Sequence, residues 1–306
     1  MAKEKSPPLN KDWFANPRNF AELDEKHSAL KSSRIVVLPV PYDSTTEFKN
    51  GARYGPSALL SASQYLELYD QELDFEPYLH GIHTLPELLS HADSPQKMVA
   101  RVQNVCETLA NDGKTLCMVG GEHSVTSGAV KAYKAKYPNL SVLHLDAHSD
   151  LRDEYSGTKW SHACVGRRVW EMAPIVQVGM RAISAEENNF IKKNKINQFR
   201  CVSPTTLDAA SIKKIVSLLS PNVYITVDLD ALDPSYMQAV GTPEPGGLQW
   251  YETLALFRAV AESKRIVAFD VMELCPPQGP ESCAFIAAKL SYKLMAYAMY
   301  SQGKKK

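Results

Sequence analysis

Short runs of apolar, often β-branched residues recur along the chain, separated by longer stretches in which apolar positions fall at helical spacing. The runs at 35–40, 116–119, 141–146, 175–178, 223–228 and 266–270 are apolar almost continuously rather than at alternate positions. Strands of that kind are covered on both faces, as in a parallel sheet packed between helices. Between the runs, Ile212, Ile215, Val216 and Leu219 repeat with the period of a helix, as do Trp250, Leu254, Phe257 and Val260. Ile286, Leu290, Leu294 and Tyr297 mark a long final helix. The alternation predicts an α/β fold with helices on both sides of a mostly parallel sheet. No linker rich in Gly or Ser and no internal repeat divides the 306 residues, so residues 1–306 read as a single domain.

The ends of three of these strands carry the chemistry. Leu145-Asp146-Ala147-His148-Ser149-Asp150 places metal-capable side chains at alternate positions just past an apolar run. Gly120-Gly121-Glu122-His123 follows an earlier run, and Val227-Asp228-Leu229-Asp230 closes a later one. Residues two apart in extended backbone point to the same side, and open parallel sheets bind ligands beyond the carboxyl ends of their strands. Four aspartates and two histidines can therefore meet at one point. Carboxylates gathered that closely stay ionised only if cations share the space, and two divalent ions would neutralise four of them. Oxygen and imidazole donors without thiolate suit Mn²⁺ better than a structural zinc site would. The competing reading of any single Asp at a strand end is a helix cap. Three such clusters at three strand ends outweigh it. His144, on a strand itself, reads as a packing residue, and His27, His80, His83 and His91 show no clustering.

Composition narrows the function classes. A formal net charge of zero gives no general attraction to nucleic acid or to an anionic membrane. The one basic run, Lys304-Lys305-Lys306, is expected to fray into solvent. The six cysteines form no CxxC pair and read as reduced, mostly buried thiols. Residues 1–11 lack the apolar core of a signal peptide, and no apolar run is long enough to span a membrane. The cytoplasm is the simplest expected location.

The strand-end segments also resemble the ureohydrolase family of arginases and agmatinases. The matching pieces are Gly120-Gly121-Glu122-His123-Ser124, Asp146-Ala147-His148-Ser149-Asp150 and Asp228-Leu229-Asp230-Ala231-Leu232-Asp233-Pro234. Gly51-Ala52-Arg53-Tyr54-Gly55-Pro56, Gly241-Thr242-Pro243-Glu244-Pro245-Gly246-Gly247 and Phe269-Asp270-Val271-Met272-Glu273 match as well. The resemblance runs in order over nearly the whole chain. It implies a three-layer α/β/α sandwich on an eight-stranded, mostly parallel sheet, assembled as a homotrimer or homohexamer. It also implies two Mn²⁺ per subunit, held by His123, Asp146, His148, Asp150, Asp228 and Asp230. Water activated between the ions would attack a guanidino carbon, with Asp150 passing a proton to the leaving amine. His162, in Ser161-His162-Ala163-Cys164, matches the family's proton-shuttle histidine, and Glu273 its guanidinium-binding glutamate. Thr242 is a further candidate substrate contact.

The segment after Asp150 bears on the substrate. Arginase-like members place Asn, Ser and Thr there to hold an α-carboxylate and α-amine. This chain has Leu151-Arg152-Asp153-Glu154-Tyr155 and, further on, Trp160. Acidic and aromatic groups suit a distal ammonium better, so Glu154, Tyr155 and Trp160 are candidates for that end. The segment resembles a group of prokaryotic agmatinases, which makes hydrolysis of agmatine to putrescine and urea the first expectation. N1-aminopropylagmatine or another guanidino compound is the alternative. A binuclear phosphoesterase would need GDxxD and GNHD or GNHE segments that are absent here. A mononuclear zinc deacetylase would keep fewer of the ligands. A regulatory pseudoenzyme would have lost a ligand, His162 or Glu273. The chain departs from the family pattern at Gln238-Ala239-Val240, close to the expected site, and carries Thr226 where serine is usual.

Overall fold

The computed structural model describes residues 18–203 and 207–303. The lysine run at the C-terminus and the first residues of the chain lie outside them. In chain order the elements are α1 (Glu25–Ser28), β1 (Ile35–Val40), α2 (Gly55–Ser63), β2 (Ile82–Thr84) and α3 (Pro95–Asn111). They continue with β3 (Thr115–Gly120), α4 (Thr126–Lys136), β4 (Leu140–Leu145), α5 (Val165–Trp170), β5 (Ile175–Met180) and α6 (Ala185–Asn194). The last are β6 (Asn197–Arg200), α7 (Ala209–Leu218), β7 (Asn222–Asp228), α8 (Trp250–Ser263), β8 (Arg265–Met272) and α9 (Ser282–Gly303).

The strands form one eight-stranded sheet in the order β2-β1-β3-β8-β7-β4-β5-β6. Every neighbouring pair is parallel, so the sheet is all-parallel rather than mostly so. Alternate side chains along each strand feed separate cores. Ile35 and Val37 of β1 join a core with Leu59 of α2, Phe257 of α8 and Leu294 of α9. Val36, Leu38 and Val40 face the other way, into a core with Met98 of α3, Val130 of α4 and Ile191 of α6. Two apolar faces on one strand leave no room for polar alternation, which is why the interior strands read as continuous apolar runs.

β2 and β6 are the two edges of the sheet. Neither is marked by an apolar run: β2 has three residues, and Asn197–Arg200 is half-exposed to exposed along its length. An edge strand has one pairing partner and needs less apolar surface to stay in place, and short or polar edges also discourage pairing between molecules. The final helix, α9, is buried over most of its length yet carries little amphipathic pattern. Among the described residues no helix is long and apolar enough to cross a membrane.

β3, β8, β7 and β4 are four consecutive neighbours in the middle of the sheet. Their registers bring Val119 beside Val271, Asp228 beside Met272 and Leu145 beside Val227. The carboxyl ends of these strands therefore open onto one place.

Candidate active site

Each central strand delivers its functional side chains within a few residues of its end. Asp146 directly follows β4, Asp228 is the last residue of β7, and His123 opens the turn that leads from β3 into α4. The close approach at the end of β3 requires Gly121: a Cβ there would lie 1.9 Å from the carbonyl oxygen of Tyr42. Asp150 and Glu273 adopt left-handed backbone, with φ of 52° and 64°. Such strain in non-glycine residues persists where the surroundings over-determine it and is common at functional sites.

His123 Nδ1 points at the carboxylates. It lies 3.2 Å from Asp228 Oδ2, 3.3 Å from Asp146 Oδ2 and 4.0 Å from Asp150 Oδ2. His148 Nδ1 lies 2.9 Å from Asp230 Oδ2 and 3.6 Å from Asp146 Oδ1. Asp146 thus presents one oxygen to each imidazole. The six residues expected to hold metal fall into two adjoining groups that share Asp146.

The hydrogen-bond directions behind His123 set its tautomer. Thr226 donates its hydroxyl proton to Asp270 Oδ1 at 2.5 Å, so the Thr226 oxygen must accept from His123 Nε2–H at 2.7 Å. Asp270 is buried and also accepts from the hydroxyls of Thr126 and Tyr224, at 2.9 and 2.7 Å. The arrangement leaves a lone pair on Nδ1, and that nitrogen is a buried side-chain atom without a hydrogen-bond partner. A nitrogen lone pair aimed at carboxylates is repulsive, and a cation between them reverses the sign. The donor set therefore fits a metal, and the chain Asp270–Thr226–His123 is the kind of outer support that fixes ligand orientation.

Charge distribution supports the same fit. Burial, reinforced by the neighbouring carboxylates, pushes Asp150 and Asp228 well above the usual carboxylate range. Asp146 goes the other way: burial opposes its ionisation, but the imidazoles packed around it, with the His144 ring donating to Oδ2, outweigh it. Such clustering is costly in a protein interior unless multivalent cations offset it.

His144 has a supporting part. Gln177 Nε2 donates to His144 Nδ1 at 3.2 Å, so the ring donates its Nε2 proton to Asp146 Oδ2 at 2.9 Å. The nitrogen facing Asp146 carries a proton and is unsuited to ligate, although the residue lies close enough to be grouped with His123 and Asp146. Gln198 fixes the orientation of Gln177 in turn, donating to its Oε1 at 3.0 Å. Backbone N–H groups hold three ligands. His148 N donates to Asp146 Oδ1 at 2.6 Å, Asp230 N to Asp228 Oδ1 at 3.0 Å, and Ala147 N to Asp230 Oδ1 at 3.0 Å. Gly166 packs against the Ser149 carbonyl so closely that a Cβ would come within 2.4 Å of it.

Beyond the ligands opens a cavity of about 350 Å³, lined among others by His123, His148, Asp150, Asp228, Asp230, His162 and Glu273. That is within the range of small-molecule sites. Glu273 is 9% exposed and accepts the His123 backbone N–H at 2.6 Å through Oε1, which leaves Oε2 for another donor. Thr242 also lines the cavity and donates to Asp230 Oδ2 at 3.3 Å. Of the three candidates for the distal end, Tyr155 is on the wall, whereas Glu154 and Trp160 are not among the lining residues. Asp153 pairs with Arg168 at 2.6 Å and Lys159 at 3.3 Å, and none of the three is among the lining residues. The Gln238–Val240 segment does not intrude: Ala239 and Val240 are buried, and Gln238 is exposed and off the cavity wall.

His162 is reached from the loop after β1. Thr45 donates to Glu122 Oε1 at 2.7 Å and accepts the His162 backbone N–H at 3.0 Å. With its own proton committed, the Thr45 hydroxyl accepts from His162 Nδ1 at 3.1 Å, leaving Nε2 unprotonated in the neutral ring. Sequence patterns left Glu47, Gln177 and Asp270 unmarked as site residues. The first is on a loop with no periodicity. The other two are buried polar residues inside apolar strands, a signal that could have singled them out.

A profile of the arginase family matches residues 33–297. The N(1)-aminopropylagmatine ureohydrolase of Synechocystis sp. is 39% identical over 304 residues, covering 96% of this chain and 98% of the relative. The agmatinase of Pyrococcus horikoshii is 31% identical over 265 residues, covering 86% and 91%. Among solved structures, the agmatine ureohydrolase of Thermoplasma volcanium superposes with a TM-score of 0.83 at 28% identity, covering 95% of this chain and 97% of that one.

Proposed function

The chain belongs to the arginase family, metal-dependent hydrolases of guanidino compounds, and from that premise we propose that it cleaves agmatine to putrescine and urea with two Mn²⁺ bound. The observation that carries the reading is the meeting of His123, Asp146, His148, Asp150, Asp228 and Asp230 on one cavity, with Glu273 and His162 on its wall. Those six residues would hold the ions in two groups that share Asp146. When bound, the ions supply charge neutralisation and the Lewis acidity that makes water nucleophilic near neutral pH.

The remaining steps belong to the chain's own side chains. Glu273 Oε2 accepts guanidinium N–H groups while Oε1 stays anchored to His123 N. Charge-assisted bonds of this type orient a planar cation. Water adds to the guanidino carbon as the bond to the alkyl-bearing nitrogen breaks. Asp150 takes up a proton and delivers it to that departing nitrogen, giving the amine and urea. His162, with Nδ1–H fixed on Thr45, carries protons at Nε2 between the cavity and solvent.

N1-aminopropylagmatine is the second reading, favoured by the name of the Synechocystis relative. Both substrates are guanidino amines without an α-carboxylate. Urea release from Mn²⁺-loaded protein, measured for agmatine, N1-aminopropylagmatine and arginine, separates the possibilities. Either amine should exceed arginine in kcat/KM by at least about tenfold. Faster turnover of arginine would reverse the substrate assignment.

A further inference from the structure

The carboxylates on the cavity wall are Asp150, Asp228, Asp230, Glu187, Glu273 and Glu47. The three aspartates face the imidazoles, and Glu273 is anchored beside them. Glu187 is consumed by the fold: Oε1 accepts from Leu151 N at 3.0 Å, and Oε2 accepts the Ser184 N–H and hydroxyl at 2.9 and 2.7 Å. Glu47 alone of the six is neither near the ligands nor tied to backbone. It sits on the loop between β1 and α2, with its side chain 46% exposed and Oε2 3.3 Å from His162 Nε2.

That contact is electrostatically incomplete. The Thr45 hydroxyl has fixed the ring proton on Nδ1, so a lone pair on Nε2 faces a carboxylate oxygen. Burial depresses the His162 pKa, opposed by Glu47, which keeps the ring neutral near pH 7 and the pair without a proton between them. Tyr155 lines the same wall, its ring 6.3 Å from that of His162, and the nearby Glu47 raises its pKa, so the phenol keeps its proton and is available as a donor. Two cations also reach this rim, but each rests on an aromatic face: Arg152 lies 5.1 Å from the Tyr155 ring centre, and Lys49 lies 5.5 Å from that of Phe48.

Resting on the proposed guanidino-amine reaction, we infer that Glu47, on the cavity wall beside His162, is the specificity-determining receptor for the substrate's second cationic nitrogen, the ammonium or secondary ammonium at the far end of its alkyl chain. An alkylammonium offers several N–H donors, enough for both oxygens of the Glu47 carboxylate. The Glu47 carboxylate itself would repel an α-carboxylate at the same position. The guanidinium is matched by Glu273 at one end and the amine by Glu47 at the other.

The test compares agmatine with butylguanidine, which keeps the guanidino group and the four-carbon chain but has no terminal amine. Glu47→Gln, loaded with Mn²⁺ and checked for metal content and circular dichroism, should lower the ratio of kcat/KM for agmatine over butylguanidine by roughly tenfold or more, the range of one charge-assisted hydrogen bond. Tyr155→Phe should lower the same ratio by about two- to fivefold, and it guards against misfolding of the first variant. An unchanged ratio overturns the inference, whether both substrates fall together, as they would if Glu47 acted only through His162, or neither changes. If the unaltered protein releases urea from neither compound, the underlying ureohydrolase reading fails instead, and the assignment of Glu47 with it.

Discussion

At the floor of the cavity, Asp146, Asp228 and Asp230 each have one carboxylate oxygen tied to a backbone N–H, and their side chains are 1–6% exposed. At its mouth, Glu47 is 46% exposed and sits on a separate loop, with Oε2 3.3 Å from His162 Nε2 and no backbone N–H among the described residues tying it down. The floor is built on the ends of paired strands, whose positions are set by the whole sheet. The mouth is built on loops, which can change without disturbing either core. On the proposed reading, chemistry that needs fixed distances sits where the backbone is most constrained, and selection among substrates sits where it is least constrained.

Substitutions at two positions sharpen that contrast. On the floor, Thr226→Val removes the acceptor for His123 Nε2–H and releases the tautomer. It should weaken Mn²⁺ binding by about 10–100-fold in calorimetric titration, the usual cost of losing such a support. Thr226→Ser keeps the hydroxyl and should stay within about threefold of the parent. Equal affinities for the valine and serine variants would show that the Asp270–Thr226–His123 chain has no influence on the metal. At the mouth the smallest effect is expected of Glu154→Gln, because Glu154 is exposed and off the cavity wall. Its kcat/KM for agmatine should remain within about twofold, as for an isolated surface charge. A tenfold loss would move the distal end of the substrate to the Arg152–Trp160 segment and erase the difference drawn here between Glu47 and Glu154.

The six interior strands were legible as apolar runs because both faces of each are buried. β2 and β6 were not, because an edge strand can be short or polar and still pair. The count of eight strands came from the family resemblance instead. At the site, Asp146, His148, Asp150, Asp228 and Asp230 stood out through their two-residue spacing at strand ends, but the extended backbone behind that expectation stops with the strands: Asp150 is left-handed and Asp230 lies in a 3-10 turn, so the loops bring these side chains together. His144 shares that spacing, and only the hydrogen-bond directions from Gln177 reveal that its proton faces Asp146. Glu47 left no pattern at all. Its place depends on how the loop after β1 folds over His162, which is a tertiary fact with no local periodicity behind it.

The proposal of two bound Mn²⁺ rests on the family resemblance together with the orphaned His123 Nδ1, the His148 Nδ1 facing Asp146 and Asp230, and the carboxylates between them. Anomalous X-ray diffraction at the manganese edge, from crystals of the protein loaded with Mn²⁺, tests it most directly. Two peaks about 3.5–4 Å apart, one against His123 Nδ1 and the other against His148 Nδ1, with Asp146 reaching both, are the predicted result. A single peak, or peaks that leave either imidazole unligated, would contradict it.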